Sequence, residues 1–166
     1  MTGFVQLAAD HAHVPAPITA LIAEYAHVID NDRIEAWPDL FTDPCLYTIA
    51  TRDNLERGLP AALLLCDSRG MLLDRVVSVR RANIFVPHRY RHFVSCLRVT
   101  EAGEGFVRVS SNYLVVRTMR DGAMSVFSTG EYRDKIVPGP DGAPRFAERV
   151  VVLDHSIVNN LIALPI

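Results

Sequence analysis

Apolar residues recur at three- and four-residue spacing through Ile18, Leu21, Ile22, Tyr25 and Ile29, the signature of an amphipathic helix. Pro17 suits its first turn, where a missing N–H costs nothing, and Asn31-Asp32 ends it. Asp32 followed three residues later by Glu35 resembles a capping box, so a short second helix is expected with Ile34, Trp37 and Leu40 on its apolar side. Asp43-Pro44 predicts a turn, because the residue before proline is pushed out of helical geometry. A strand over Cys45–Thr51 follows, with Tyr47 and Ile49 on one face, then a loop over 54–60 and a short buried strand or extended segment over 61–66. Asp67 or Ser68 can cap a third helix that runs to about Arg81 and buries Leu72, Val76 and Val79. Its last turn carries Arg80 and Arg81, the sign the helix dipole favours there.

The period then changes from helical to two. Arg91–Thr100 alternates, residues 101–105 make a turn, and Phe106–Arg117 puts Val107, Val109, Tyr113 and Val115 on one face. Asp121-Gly122 is a hairpin signal. A strand over Ala123–Val137, a loop over 138–144 and a last strand over Arg145–Leu153 complete an antiparallel meander. Helices first and a meander afterwards predict an α+β fold: a curved, mainly antiparallel sheet closed on one side by helices, a cone with a pocket at its mouth. Met1–Ala16 has no sustained period, so residues 1–16 are expected to be a flexible arm and 17–166 a single domain.

The chain has 166 residues, 49% of them hydrophobic, which suffices to build a core without a metal or disulfide staple. A formal net charge of -2 gives no general attraction to phosphate backbones or anionic lipid, so no nucleic-acid or membrane partner is expected. Arg80, Arg81, Arg89 and Arg91 cluster locally but are balanced elsewhere. The three cysteines, Cys45, Cys66 and Cys96, are too dispersed for a disulfide framework or a Cys-x-x-Cys metal site. With neither a secretory signal nor an apolar run near the roughly 18 residues that span a bilayer, the expected location is the cytoplasm.

Candidate chemistry is sparse. His88 and His92 fall on one face of a strand, yet their neighbours are Arg89, Tyr90 and Arg91, and no carboxylate lies beside them; a polar strand end that meets a partner is the better account. None of the cysteines has a histidine two or three residues on, as the paired ligand segments of a Rieske cluster require. There is no Gly-x-Ser-x-Gly elbow and no phosphate-cradling glycine loop. A stand-alone enzyme, such as a dehydratase or isomerase, would need an acid–base pair facing the pocket, for instance Asp30 or His88 with Tyr25 or Tyr47. A small-ligand-binding module without chemistry is the remaining alternative. The apolar tail Ile157, Leu161, Ile162, Leu164 and Ile166 is expected to dock at an interface or across the sheet.

Several motifs, in order, carry a resemblance. They are Ile29-Asp30 with Trp37-Pro38 and Leu40-Phe41; Asp67-Ser68 with Met71-Leu72-Leu73-Asp74-Arg75; Ala82-Asn83-Ile84 with His88-Arg89-Tyr90-Arg91-His92; Ser128 through Lys135 (STGEYRDK); and the ending Leu161 through Ile166 (LIALPI). Together they resemble the β (small) subunits of bacterial aromatic-ring-hydroxylating dioxygenases, nearest the terephthalate, anthranilate and salicylate branch, from Pro17 to Ile166. The resemblance implies an NTF2-like (cystatin-like) cone and a mainly structural subunit with no catalytic, cofactor or metal residue of its own. It implies a large (α) subunit that holds a Rieske 2Fe-2S cluster and a mononuclear non-haem iron, with electrons from NADH through a reductase. It further implies a trimer of this chain within an α3β3 hexamer. Asp74, Arg75, Arg89, Arg91, His92 and Ile166 are the positions expected to make subunit contacts or structural ion pairs.

Overall fold

A computed structural model describes residues 13–82, 86–155, 162 and 164–166. Helix α1 (Ala16–Asp30) opens the described chain, with Pro17 in its first turn, and buries Ile18, Leu21, Ile22, Tyr25, Val28 and Ile29. A 3-10 helix (Ile34–Leu40) leads into β1 (Phe41–Thr51), followed by a one-turn helix α2 (Arg52–Glu56), a short strand β2 (Leu64–Cys66) and α3 (Arg69–Arg81). Then come four long strands: β3 (His88–Gly103), β4 (Phe106–Met119), β5 (Met124–Pro138) and β6 (Pro144–Leu153).

The six strands form one open sheet in the order β2-β1-β6-β5-β4-β3. Every neighbouring pair is antiparallel except β1 and β6, which run parallel, with Tyr47 opposite Arg149 and Thr51 opposite Leu153. Helix α1 packs on β3 and β6, while α3 packs against the 3-10 helix, β1 and β2. The core lies between these helices and the inner face of the sheet, where Val107, Val109, Tyr113 and Val115 are buried as their alternation predicts. Tyr47 and Ile49 are likewise fully buried on β1.

Four local expectations need correction. Asp32 and Glu35 do not make a capping box: the 3-10 helix has no side-chain cap, and both acids are held by the Arg80 guanidinium instead. Asp43-Pro44 is not a turn between elements but lies inside β1, because extended geometry satisfies the residue before proline as well as a turn does. A bulge between Phe41 and Leu46 absorbs the proline, which has no N–H to give to the ladder. The expected loop after residue 54 starts with α2, whose N-cap Thr51 accepts a hydrogen bond from the Asn54 N–H at 3.2 Å. The 61–66 segment supplies only an edge strand, in which Cys66 is buried and Leu65 is 49% exposed. The other cap was legible: Ser68 accepts from the Met71 N–H, and α3 buries Leu72, Val76 and Val79. Most of the proposed N-terminal arm, and Asn83, Ile84, Ile157 and Leu161, lie outside the described residues.

Candidate functional site

The segment Ser128–Asp134 shows what the inner face of the sheet is built to do. Strand alternation turns Ser128, Gly130, Tyr132 and Asp134 inward, and all four are buried. The Ser128 hydroxyl lies 2.9 Å from the Tyr113 hydroxyl. Gly130 is required by close approach: a Cβ there would sit 1.9 Å from the Val152 carbonyl oxygen and 3.0 Å from the Tyr113 ring. The Tyr132 ring stacks on Tyr113 at 4.5 Å between centroids. Asp134 faces Arg149 across the β5–β6 ladder and accepts two hydrogen bonds from it, at 2.8 and 2.7 Å, with both side chains wholly excluded from solvent. The guanidinium carbon of Arg149 lies 3.9 Å from the Tyr25 ring centroid, 4.2 Å from Phe146 and 4.3 Å from Tyr132. Burial pushes the Asp134 carboxyl up from its ordinary value, and the adjoining guanidinium pulls it back toward the charged form. Sequence spacing did not single out this pair, since the two residues come from separate strands.

Outward-facing Glu131 of the same segment accepts from the Ser110 hydroxyl at 2.7 Å and from Arg133 at 3.0 Å. Partial burial raises its carboxyl, but these bonds outweigh it and hold the group below the ordinary range.

Two neighbouring tyrosines, one from α1 and one from β1, hold Ile166. Its main-chain oxygen accepts from the Tyr25 hydroxyl at 2.9 Å and the Tyr47 hydroxyl at 3.0 Å, and its N–H lies 3.1 Å from the Tyr47 oxygen. Ile166 is fully buried, and Ile162 and Leu164 pack against the core, so the described part of the tail lies inside the fold. Desolvation pushes both tyrosine hydroxyls upward, Tyr47 strongly, so they are neutral hydrogen-bonding groups at ordinary pH.

Of the other candidate residues, Arg75 donates to the Ile162 carbonyl and so fastens α3 to the tail. Asp74 is exposed on α3. Arg89 is exposed at the start of β3 and lines a cleft of about 500 Å³ together with Asp30, Arg80, His88, Tyr90 and Leu164. Arg91 lies 3.8 Å from Asp30, and its side chain is 55% exposed. His92 is buried beside Asp30, which accepts from the His92 main-chain N–H at 2.9 Å and pairs with its Nδ1 at 2.6 Å. This bond joins the last residue of α1 to β3 across 62 positions. Asp30 and His92 thus form the acid–imidazole pair of the site, whereas the imagined partners of Asp30, Tyr25 and Tyr47, are taken by Ile166.

Replacing Asp30 with alanine leaves a buried N–H and imidazole without their acceptor and is expected to cost about 1–3 kcal/mol. An unchanged urea midpoint for Asp30→Ala would contradict this account.

Burial pushes the Cys45 thiol up to about 11 and raises Cys66 as well. Cys96 is exposed on β3. Among the described residues no cluster of three or more His, Cys, Asp or Glu is placed to hold a metal ion. Among them, too, no helix is long and apolar enough to cross a membrane.

The comparisons agree with this architecture. The chain is 42% identical over 142 residues to the small subunit of anthranilate 1,2-dioxygenase from Burkholderia cepacia, covering 86% of this chain and 88% of the relative. It is 39% identical over 149 residues to subunit beta 2 of the terminal oxygenase component of terephthalate 1,2-dioxygenase from Comamonas sp, covering 90% and 96%. A solved beta subunit assigned to an aromatic-ring-hydroxylating dioxygenase of Novosphingobium aromaticivorans superposes with a TM-score of 0.82 at 37% identity, covering 91% of this chain and 95% of that one. The beta subunit of benzoate 1,2-dioxygenase from Burkholderia mallei shares the fold, with a TM-score of 0.72 at 21% identity over 91% and 97% of the two chains. The family described as ring hydroxylating beta subunit matches residues 24–160. This chain therefore belongs to the beta-subunit family of the ring-hydroxylating dioxygenases, on the NTF2-like cone that family adopts.

Proposed function

We propose that this protein is the assembly subunit of an oxygenase component that cis-dihydroxylates an aromatic carboxylate of the terephthalate or anthranilate kind. The chemistry belongs to a large subunit, which carries a Rieske 2Fe-2S cluster and a mononuclear non-haem iron and receives electrons from NADH through a reductase. Three copies of each chain make an α3β3 hexamer in the cytoplasm. The substrate class rests on two relatives whose names specify anthranilate and terephthalate.

The observation that carries the non-catalytic role is how the motif residues are used. Asp30, Ser128, Tyr132, Asp134 and Arg75 are all engaged in contacts that join one element to another. A catalytic group needs reach to a reacting atom; these groups reach neighbouring strands and helices instead.

Co-expression with a cognate large subunit tests the reading. A hexamer containing iron, and oxidising NADH in the presence of reductase and an aromatic acid, is the expected product. Stoichiometric iron in the isolated chain, or turnover of an aromatic acid by it alone, would overturn the assignment, as would failure to co-purify with the large subunit.

A further inference from the structure

The grip on Ile166 has the make-up of a ligand site rather than of an ordinary core contact. Two hydroxyls from separate elements, 3.3 Å apart, converge on one main-chain oxygen, and Tyr47 also accepts the N–H of the same residue. Aromatic rings close around this point. Trp37 and Phe41 meet Tyr47 edge-on at 5.0 and 6.1 Å, and Phe146 meets Tyr25 edge-on at 5.9 Å. Small-molecule sites are built this way, from apolar and aromatic walls with a few convergent polar groups.

The polar groups here are unevenly matched. Arg149 donates to Asp134 through Nε and Nη2, while its Nη1 has no hydrogen-bond partner among the described residues. The Tyr132 hydroxyl, on the ring beneath that guanidinium, has none among them either. Both atoms are buried, and both belong to side chains packed on Tyr25. The cluster is therefore rich in donors and short of acceptor oxygens, and a donor left unmatched in a core is costly. Ile166 supplies one such oxygen. A carboxylate supplies two, each able to accept more than one bond, and a neighbouring guanidinium favours its charge.

We propose that these groups form a binding site for a small aromatic carboxylate, with Ile166 as its resident occupant. The carboxylate takes the place of the Ile166 main-chain oxygen between Tyr25 and Tyr47, and the aromatic ring takes the place of the isoleucine side chain. Ligand and tail exclude each other. The full chain binds only in the fraction of molecules whose tail has left the site, and its apparent affinity is reduced by that fraction. The class of ligand follows from the donors alone, so the site does not depend on the assembly role proposed above.

Benzoate, close to an isoleucine residue in size, is the probe. In calorimetric titrations a chain ending at residue 163 should bind benzoate about tenfold more tightly than the full chain, or better. Toluene keeps the ring and lacks the carboxylate, so the shorter chain should bind it about tenfold more weakly than benzoate, or worse. Tyr47→Phe in the shorter chain should erase most of that preference, and a peptide matching residues 164–166 should compete with benzoate. Circular dichroism establishes that the shorter chain folds; if it folds only with ligand, benzoate should restore the melt and toluene should not. Equal affinity of the two chains for benzoate, or equal binding of benzoate and toluene, would overturn the site. So would a shorter chain that stays unfolded at every benzoate concentration. Assembly with the large subunit is read separately, by iron content and hexamer mass, so a failed site and a failed assembly role give different results.

Discussion

Alanine at position 134 should cost about 3–5 kcal/mol of folding stability, because it strands a wholly buried guanidinium without its counter-charge. Arg149 cannot escape by turning toward solvent. Tyr25, Tyr132 and Phe146 surround it at 3.9–4.3 Å, and it comes from a strand paired on both sides. Those rings attract the cation by about 2 kcal/mol or more when it is desolvated, but they do not supply hydrogen-bond acceptors in the plane of the fork. Urea denaturation of Asp134→Ala against the wild type measures the loss. The control is the double variant Asp134→Leu with Arg149→Met, in which both charges leave together. It should recover most of the stability, since replacing a buried pair with apolar residues of similar volume is often neutral or favourable. A loss below about 1 kcal/mol for the single variant would mean that water reaches Arg149.

The second large effect is expected at Trp37. It is fully buried, with its ring 5.0 Å from Tyr47 and 5.7 Å from Phe41, both edge-on. Truncation to alanine removes the ring contacts that link the 3-10 helix to β1 and opens a cavity in the core. The expected cost is about 3–5 kcal/mol, and Trp37→Phe should lose much less because it keeps an aromatic ring in that space. Trp37 is the only tryptophan, so the melt must be followed by circular dichroism rather than emission. Equal losses for the phenylalanine and alanine variants would show that ring packing is not what the site provides.

What could be read from the chain beforehand follows the range of the interactions. Helices α1 and α3 and the four-strand meander were legible because their signals are local: a repeat of apolar positions, a serine cap, a turn dipeptide. The failures came where a distant residue competes for a local one. Asp32 and Glu35 have capping-box spacing, yet Arg80 claims both from 48 and 45 positions away. That guanidinium also holds the Glu35 carboxyl below its usual range. The candidate site divides in the same way. The motif containing Asp134 was noticed, but its partner Arg149 became evident only through the β5–β6 register. Asp30 and His92 each stand out in the sequence, but nothing local joins them across 62 positions. Ile166 was picked as a contact, while the tyrosines that grip it belong to α1 and β1.

The parallel pairing of β1 with β6 sets the order in which a newly made chain can finish. Tyr47 finds its neighbour Arg149 only after about a hundred further residues have been translated. At about 5–20 residues per second, the nascent polypeptide spends roughly 5–20 s with one side of β1 unzipped. The β3–β5 part of the meander can meanwhile form from close neighbours, since contacts of short sequence separation close fastest. Synthesis halted before residue 144 would therefore leave β1 without its β6 partner, an open ladder that chaperones or proteases would meet first.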